Sequence, residues 1–99
     1  MLHVVLFTDN PDRAEARQRL MPAHLAFLEE HQGRIRAAGP LVESNGRGAG
    51  GLWLVDAESS HAVMDLVRAD PLWPTGLRQD VRILRWAQVF AEGRRPGRV

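Results

Sequence analysis

Three short apolar segments of this chain carry hydrophobic residues at odd and even positions alike, yet the sequence supplies helices for only one side of any sheet they build. In the first segment Val5 and Phe7 alternate with Val4 and Leu6, and in a later one Trp53 and Val55 alternate with Leu52 and Leu54. Near the end, Val81, Ile83 and Val89 oppose Leu84, Trp86 and Phe90. Successive side chains of a strand point to opposite faces, so each of these strands is apolar on both.

The connecting segments set the topology. Residues 3–8 read as a strand closed by Asp9-Asn10-Pro11, where Asn10 can cap a helix and Pro11 can take its first position. A helical pattern then runs from about residue 12 to 38, broken at Met21-Pro22 because proline in a helix interior costs about 3 kcal/mol. The spacing therefore predicts a short helix to about Leu20 and a second from about Pro22. On the second, His24, Phe27, Leu28, His31 and Ile35 form one apolar stripe, and Ala38-Gly39-Pro40 ends it. Residues 41–44 read as the second strand, 45–50 as a hairpin loop and 51–56 as the third strand. Ser59 caps a helix whose stripe is Val63, Leu66, Val67 and Asp70, and Pro71 stops it. A turn-rich link, residues 72–79, leads to a fourth strand over 81–90.

The order βαββαβ with two right-handed crossovers puts both helices on one face, which is the ferredoxin-like α+β sandwich with an antiparallel four-stranded sheet. Its other face stays apolar and uncovered. The expected cover is the same face of a second copy, packed by two-fold symmetry as a dimeric α+β barrel. A chain of 99 residues is one domain, and alone it buries only about two-thirds of its unfolded surface, which also favours a homodimer. The domain is expected over residues 1–90, with an Arg-rich tail over 91–99.

Composition removes several function classes. No Cys is present, which excludes disulfides, thiolate zinc sites, iron–sulfur clusters and cysteine nucleophiles. All 13 basic residues are Arg, and the tail holds Arg94, Arg95 and Arg98 against Glu92. Residues 1–90 are thus left with ten Arg against eleven acidic residues, too little clustered charge for a nucleic-acid groove. No apolar run approaches the ~20 residues of a membrane span, and no leader pattern opens the chain, so a cytoplasmic protein with no membrane partner is expected.

Two residues stand out chemically. His24 lies on an apolar helix face, where a histidine is often only a core residue, and Asp70 continues an apolar stripe, where an Asp-Pro pair is also a common helix end. Side by side on the sheet, the two helices can bring these residues within hydrogen-bonding reach. A carboxylate on one ring nitrogen fixes the tautomer and leaves the other nitrogen as a general base. The hydroxyls Thr8, Ser44, Ser59, Ser60 and Thr75 sit in no nucleophile-elbow context, which favours proton transfer over acyl chemistry. Arg17, two helical turns before His24, is positioned to clamp a carboxylate or phenolate. His24 and His31 lie ~10.5 Å apart along a helix axis, too far to share a metal, so no metal site is expected. The glycines at 46, 48, 50 and 51 lack the Lys-Ser/Thr of a phosphate loop and read as a hairpin, and Trp53, Trp73 and Trp86 read as core or interface.

The stretch RQRLMPAHLAFL from Arg17 to Leu28, Ala38-Gly39-Pro40-Leu41, Ala69-Asp70-Pro71-Leu72-Trp73 with Gly76-Leu77, and Val81-Arg82-Ile83 with Trp86 and Val89-Phe90 resemble the YciI-like (YCII-related) family over about residues 1–90. The resemblance implies a ferredoxin-like dimeric α+β barrel with a site centred on a histidine and an aspartate, carried here by His24 and Asp70. Arg17, Gly39 and Pro40 are then expected to bind the substrate, with no cofactor. The family is similar in fold to muconolactone isomerase-like enzymes, and one branch includes a dehalogenase acting on a chlorinated aromatic breakdown intermediate. The chain departs from the pattern at Trp73-Pro74, which alters the pocket rim, and in its Arg-rich tail. The expected function is proton transfer by the His–Asp pair, as in isomerisation, dehalogenation or lactone chemistry, on a small cyclic or aromatic-derived metabolite. The alternative is a non-catalytic small-molecule-binding or regulatory dimer. An RNA-binding module shares the topology but needs aromatic strand motifs this chain lacks.

Overall fold

A computed structural model describes residues 1–96. Strand β1 (Leu2–Asp9) leads through a 3-10 turn at Pro11–Arg13 into α1 (Ala14–Arg19) and α2 (Met21–Glu30). β2 (Ile35–Val42) and β3 (Gly48–Asp56) form a hairpin, α3 (Ser60–Ala69) follows, and a second 3-10 turn at Trp73–Thr75 precedes β4 (Arg78–Arg85). The strands lie in the order β2-β3-β1-β4, and all neighbours are antiparallel. This is the ferredoxin-like sandwich that the element order requires.

Local chemistry starts the first 3-10 turn and α3 where the sequence indicates. The Asn10 side chain accepts from the Asp12 N–H at 3.0 Å, and the Ser59 hydroxyl accepts from the Ala62 N–H at 3.1 Å. Pro22 stands in the first turn of α2, where its missing N–H breaks no helical bond. The alternation along β1 and β3 then sorts the two faces. Val5, Phe7, Trp53 and Val55 are buried against Phe27, Val63, Leu66 and Val67 of the helices in one core. Leu2, Val4, Leu6, Leu52 and Leu54 point the other way and stay half-buried, while Leu84 and Trp86 are 43% and 44% exposed. Among the described residues no helix is long and apolar enough to cross a membrane.

The structure corrects the expected elements in three places. The helix ends at Glu30 instead of about residue 38, because His31 leaves helical geometry and the turn through Gln32 and Gly33 returns the chain to the sheet. Ile35 is therefore a strand residue paired with Val55, buried in the same core to which its helical spacing assigned it. His31 is half-buried beside Phe27 and does not share a fully buried stripe with His24. The second strand accordingly spans Ile35–Val42 and not 41–44, and Pro40 is tolerated there because β2 is an edge strand. Finally, β3 and β4 each begin three residues earlier than expected, and β4 stops at Arg85. Val89 and Phe90 lie beyond it, 69% and 58% exposed. Ala91 and Arg94 close a turn on each other, and residues 97–99 of the expected tail lie outside the described residues.

One glycine is demanded by backbone approach. Gly50 has a φ of +91°, and a Cβ there would lie 1.9 Å from the Phe7 carbonyl oxygen on β1. Gly50→Ala is expected to destabilise the fold by about 3 kcal/mol and lower Tm by at least about 10 °C. Gly48→Ala, with open space around its Cβ, should change stability by less than about 1 kcal/mol, and thermal denaturation of the two variants checks the contrast.

Candidate functional site

The two helices meet at a histidine and an aspartate. His24 sits one turn into α2, where Leu20, just before the helix, accepts its backbone N–H at 2.9 Å. Asp70 is the C-cap of α3, in extended geometry at φ −65° and ψ 134°, the region that a following proline favours. The helix end therefore turns the carboxylate out of the α3 stripe and towards α2. His24 Nδ1 stands 2.9 Å from Asp70 Oδ1, and both residues are buried, at 6% and 3% exposure. The Leu72 N–H donates to the same oxygen at 3.1 Å.

This arrangement fixes the imidazole. An ionised carboxylate only accepts, so Nδ1 carries the hydrogen and Nε2 of the neutral ring keeps its lone pair. Trp53 packs alongside at 6.3 Å between ring centroids. His24 lines a cavity of about 100 Å³ together with Arg17, Gly39, Pro40, Trp53 and Arg78. The three residues expected at the substrate, Arg17, Gly39 and Pro40, thus border the same space as the histidine, while Asp70 lies behind the ring. Arg17 and Pro40 also border a larger cleft of about 540 Å³ between the end of β1, α1 and the β2–β3 hairpin.

Two residues to which the sequence reading gave no part in the site stand beside it. Asp9, at the end of β1, takes an ion pair from Arg17 on Oδ2 and another from Arg78 Nη1 on Oδ1, the latter at 3.0 Å. The Arg78 side chain is 3% exposed, and its guanidinium lies 4.0 Å above the centre of the Phe7 ring. Burial pushes this guanidinium below its usual value, and the adjacent Asp9 carboxylate partly restores it. The one available signal is positional: Arg78 faces Asp9 across the β1–β4 ladder, a pairing that appears only once register is known. A single arginine at the end of a turn-rich link carries no periodicity to reveal it. Among the described residues, no group of three His, Cys, Asp or Glu side chains converges closely enough to hold a metal ion.

Comparison with known proteins gives the chain its relatives. Residues 1–87 match the YCII-related domain. Protein YciI of Escherichia coli O6:H1 and Protein YciI of Shigella flexneri are each 35% identical to the chain over 98 residues, covering 91% of it and all of the relative. Among solved structures, the 5-chloro-2-hydroxyhydroquinone dehydrochlorinase TftG from Burkholderia phenoliruptrix AC1100, in complex with 2,5-dihydroxybenzoquinone, superposes with a TM-score of 0.76. It is 28% identical, over 88% of this chain and 94% of its own. With its sandwich fold and a domain match spanning nearly the whole sequence, the chain belongs to the YCII-related family.

Proposed function

We propose that this protein is a cofactor-independent enzyme in which His24, oriented by Asp70, transfers a proton on a small cyclic or aromatic-derived metabolite. The observation that carries the reading is the buried Nδ1–carboxylate contact of a histidine that lines a cavity. Nε2 accepts a proton from a substrate carbon or hydroxyl, and the imidazolium so formed is stabilised by the Asp70 carboxylate. In isomerisation the same proton returns at a second position of the ring; in elimination the electron pair of the broken bond expels a leaving group. Gly39 and Pro40 shape one wall for the substrate and Arg17 lies at its rim. The similarity to TftG, a dehydrochlorinase observed with a dihydroxybenzoquinone, supports an oxygenated six-membered ring as the substrate class.

The enzymatic reading is tested by incubating the protein with hydroxylated aromatics, 5-chloro-2-hydroxyhydroquinone included, and with unsaturated lactones in deuterated water. Deuterium incorporation or chloride release is expected with at least one of them. His24→Ala should lower kcat/KM about 10²- to 10⁴-fold, and Asp70→Asn should lower it about 10- to 100-fold. Full activity in His24→Ala contradicts the reading, and tight binding without turnover that survives His24→Ala assigns the pocket to a binding or regulatory role.

The active form is proposed to be a homodimer closed over the uncovered sheet face. Leu2, Val4, Leu6, Leu52 and Leu54 form a continuous apolar surface that the chain itself only half buries, flanked by the exposed Leu84 and Trp86. A two-fold axis through this face pairs the patch with itself. Light scattering at micromolar concentration should give twice the chain mass for the native protein and the single-chain mass for Leu54→Asp. A native particle of single-chain mass contradicts the dimer.

A further inference from the structure

The His24 cavity has a polarity that proton transfer alone does not explain. Its polar side chains are Arg17, His24 and Arg78, the rest of its wall is apolar or backbone, and no carboxylate borders it. The two acidic groups of the neighbourhood stand behind the nitrogen bases: Asp70 behind His24, and Asp9 behind both arginines. Asp9 is one carboxylate shared between two guanidinium groups, and the next acidic group that acts on Arg78, Asp70, is already engaged by His24 and the Leu72 N–H.

Arg78 is the more unusual of the two cations. A buried guanidinium is costly to keep unless its donors are met, and the side chain here is 3% exposed. Among the described residues only Nη1 donates, to Asp9, and the buried Nε finds no partner. The fold nevertheless makes room for the group. Position 51 is glycine, where a Cβ would lie 3.3 Å from Arg78 Nη1, and the Phe7 ring supports the guanidinium from below. A group held in a prepared slot, beside a cavity and short of an acceptor, is suited to an anionic ligand atom.

We infer that Arg78, set with Arg17 against the single carboxylate of Asp9, recognises a negatively charged oxygen of the ligand in the His24 cavity. The ligand class is accordingly a small ring bearing a carboxylate, phenolate or enolate. The inference deepens the proposed function: it rests on the cavity being a ligand pocket, and it is independent of whether His24 moves a proton. A purely structural Arg78, tying β4 to β1 through Asp9, would leave ligand charge without effect.

The test uses benzoate and benzamide, probes of nearly equal shape that differ in charge, titrated into the full-length protein and followed by NMR at the His24 ring and the Arg78 Nε–H. One charge-assisted hydrogen bond corresponds to about 10- to 100-fold in affinity, so benzoate should bind about tenfold or more tighter than benzamide. Arg78→Gln should bring the two affinities to within about threefold. The native protein provides a readout independent of any variant's folding: benzoate should shift the Arg78 Nε–H resonance and benzamide should not. Equal affinities with the His24 ring perturbed by both probes would overturn the role of Arg78 and leave the pocket standing. Retention of the benzoate preference in Arg78→Gln would overturn it likewise. No perturbation of His24 by either probe would overturn both this inference and the reading of the cavity as a ligand site.

Discussion

A buried imidazole held 2.9 Å from a buried carboxylate joins the two helices of this fold, and the rest of the site is arranged around that bond. The contact needs α2 and α3 on the same face of the sheet, so it depends on both crossovers having the same hand. It also needs α3 to end at Asp70, since one further helical residue would turn the carboxylate away from α2. Pro71 enforces that stop, and the Leu72 N–H then occupies the same oxygen that accepts from His24. Asp70 is thus anchored to its own chain as well as to the histidine, which fixes the ring orientation without help from solvent.

The arginines obey a related logic at the other side of the cavity. Strand β1 ends in Asp9, and its carboxylate is divided between a helix residue, Arg17, and a strand residue, Arg78. The half-buried Arg17 and the buried Arg78 are both steadied by Asp9, which does not line the His24 cavity, so the space itself is left to basic and apolar side chains. Such an environment favours a ligand that brings negative charge.

The pairing of His24 with Asp70 was legible in the sequence because each sits on a periodic stripe and each is followed or preceded by a proline that fixes a helix end. Periodicity and proline are local signals, and they hold in the structure at His24 in α2 and at the α3 end before Pro71. The start of β2 was not legible, because Ile35 satisfies a helical stripe at i+11 and a strand position equally well; what decided between them was Gly33 and the need for the crossover to return to the sheet. Arg78 was hidden for another reason. Its neighbours Asp9, Phe7 and Gly51 lie on two other strands, and only the register of β1 with β3 and β4 brings them together. Val89 and Phe90 continue the alternation of β4 on paper, yet the antiparallel ladder carries the strand past the first residues of β1, where no partner is left to pair with.

The account turns on the state of one ring. Long-range ¹H–¹⁵N correlation spectra of the native protein, recorded across a pH series, report directly which nitrogen of the His24 ring carries hydrogen. The account predicts a pyrrole-like Nδ1 bonded to hydrogen and a pyridine-like Nε2, with this preference lost in Asp70→Asn. A ring protonated on Nε2, or one whose tautomer is unchanged in Asp70→Asn, would contradict it.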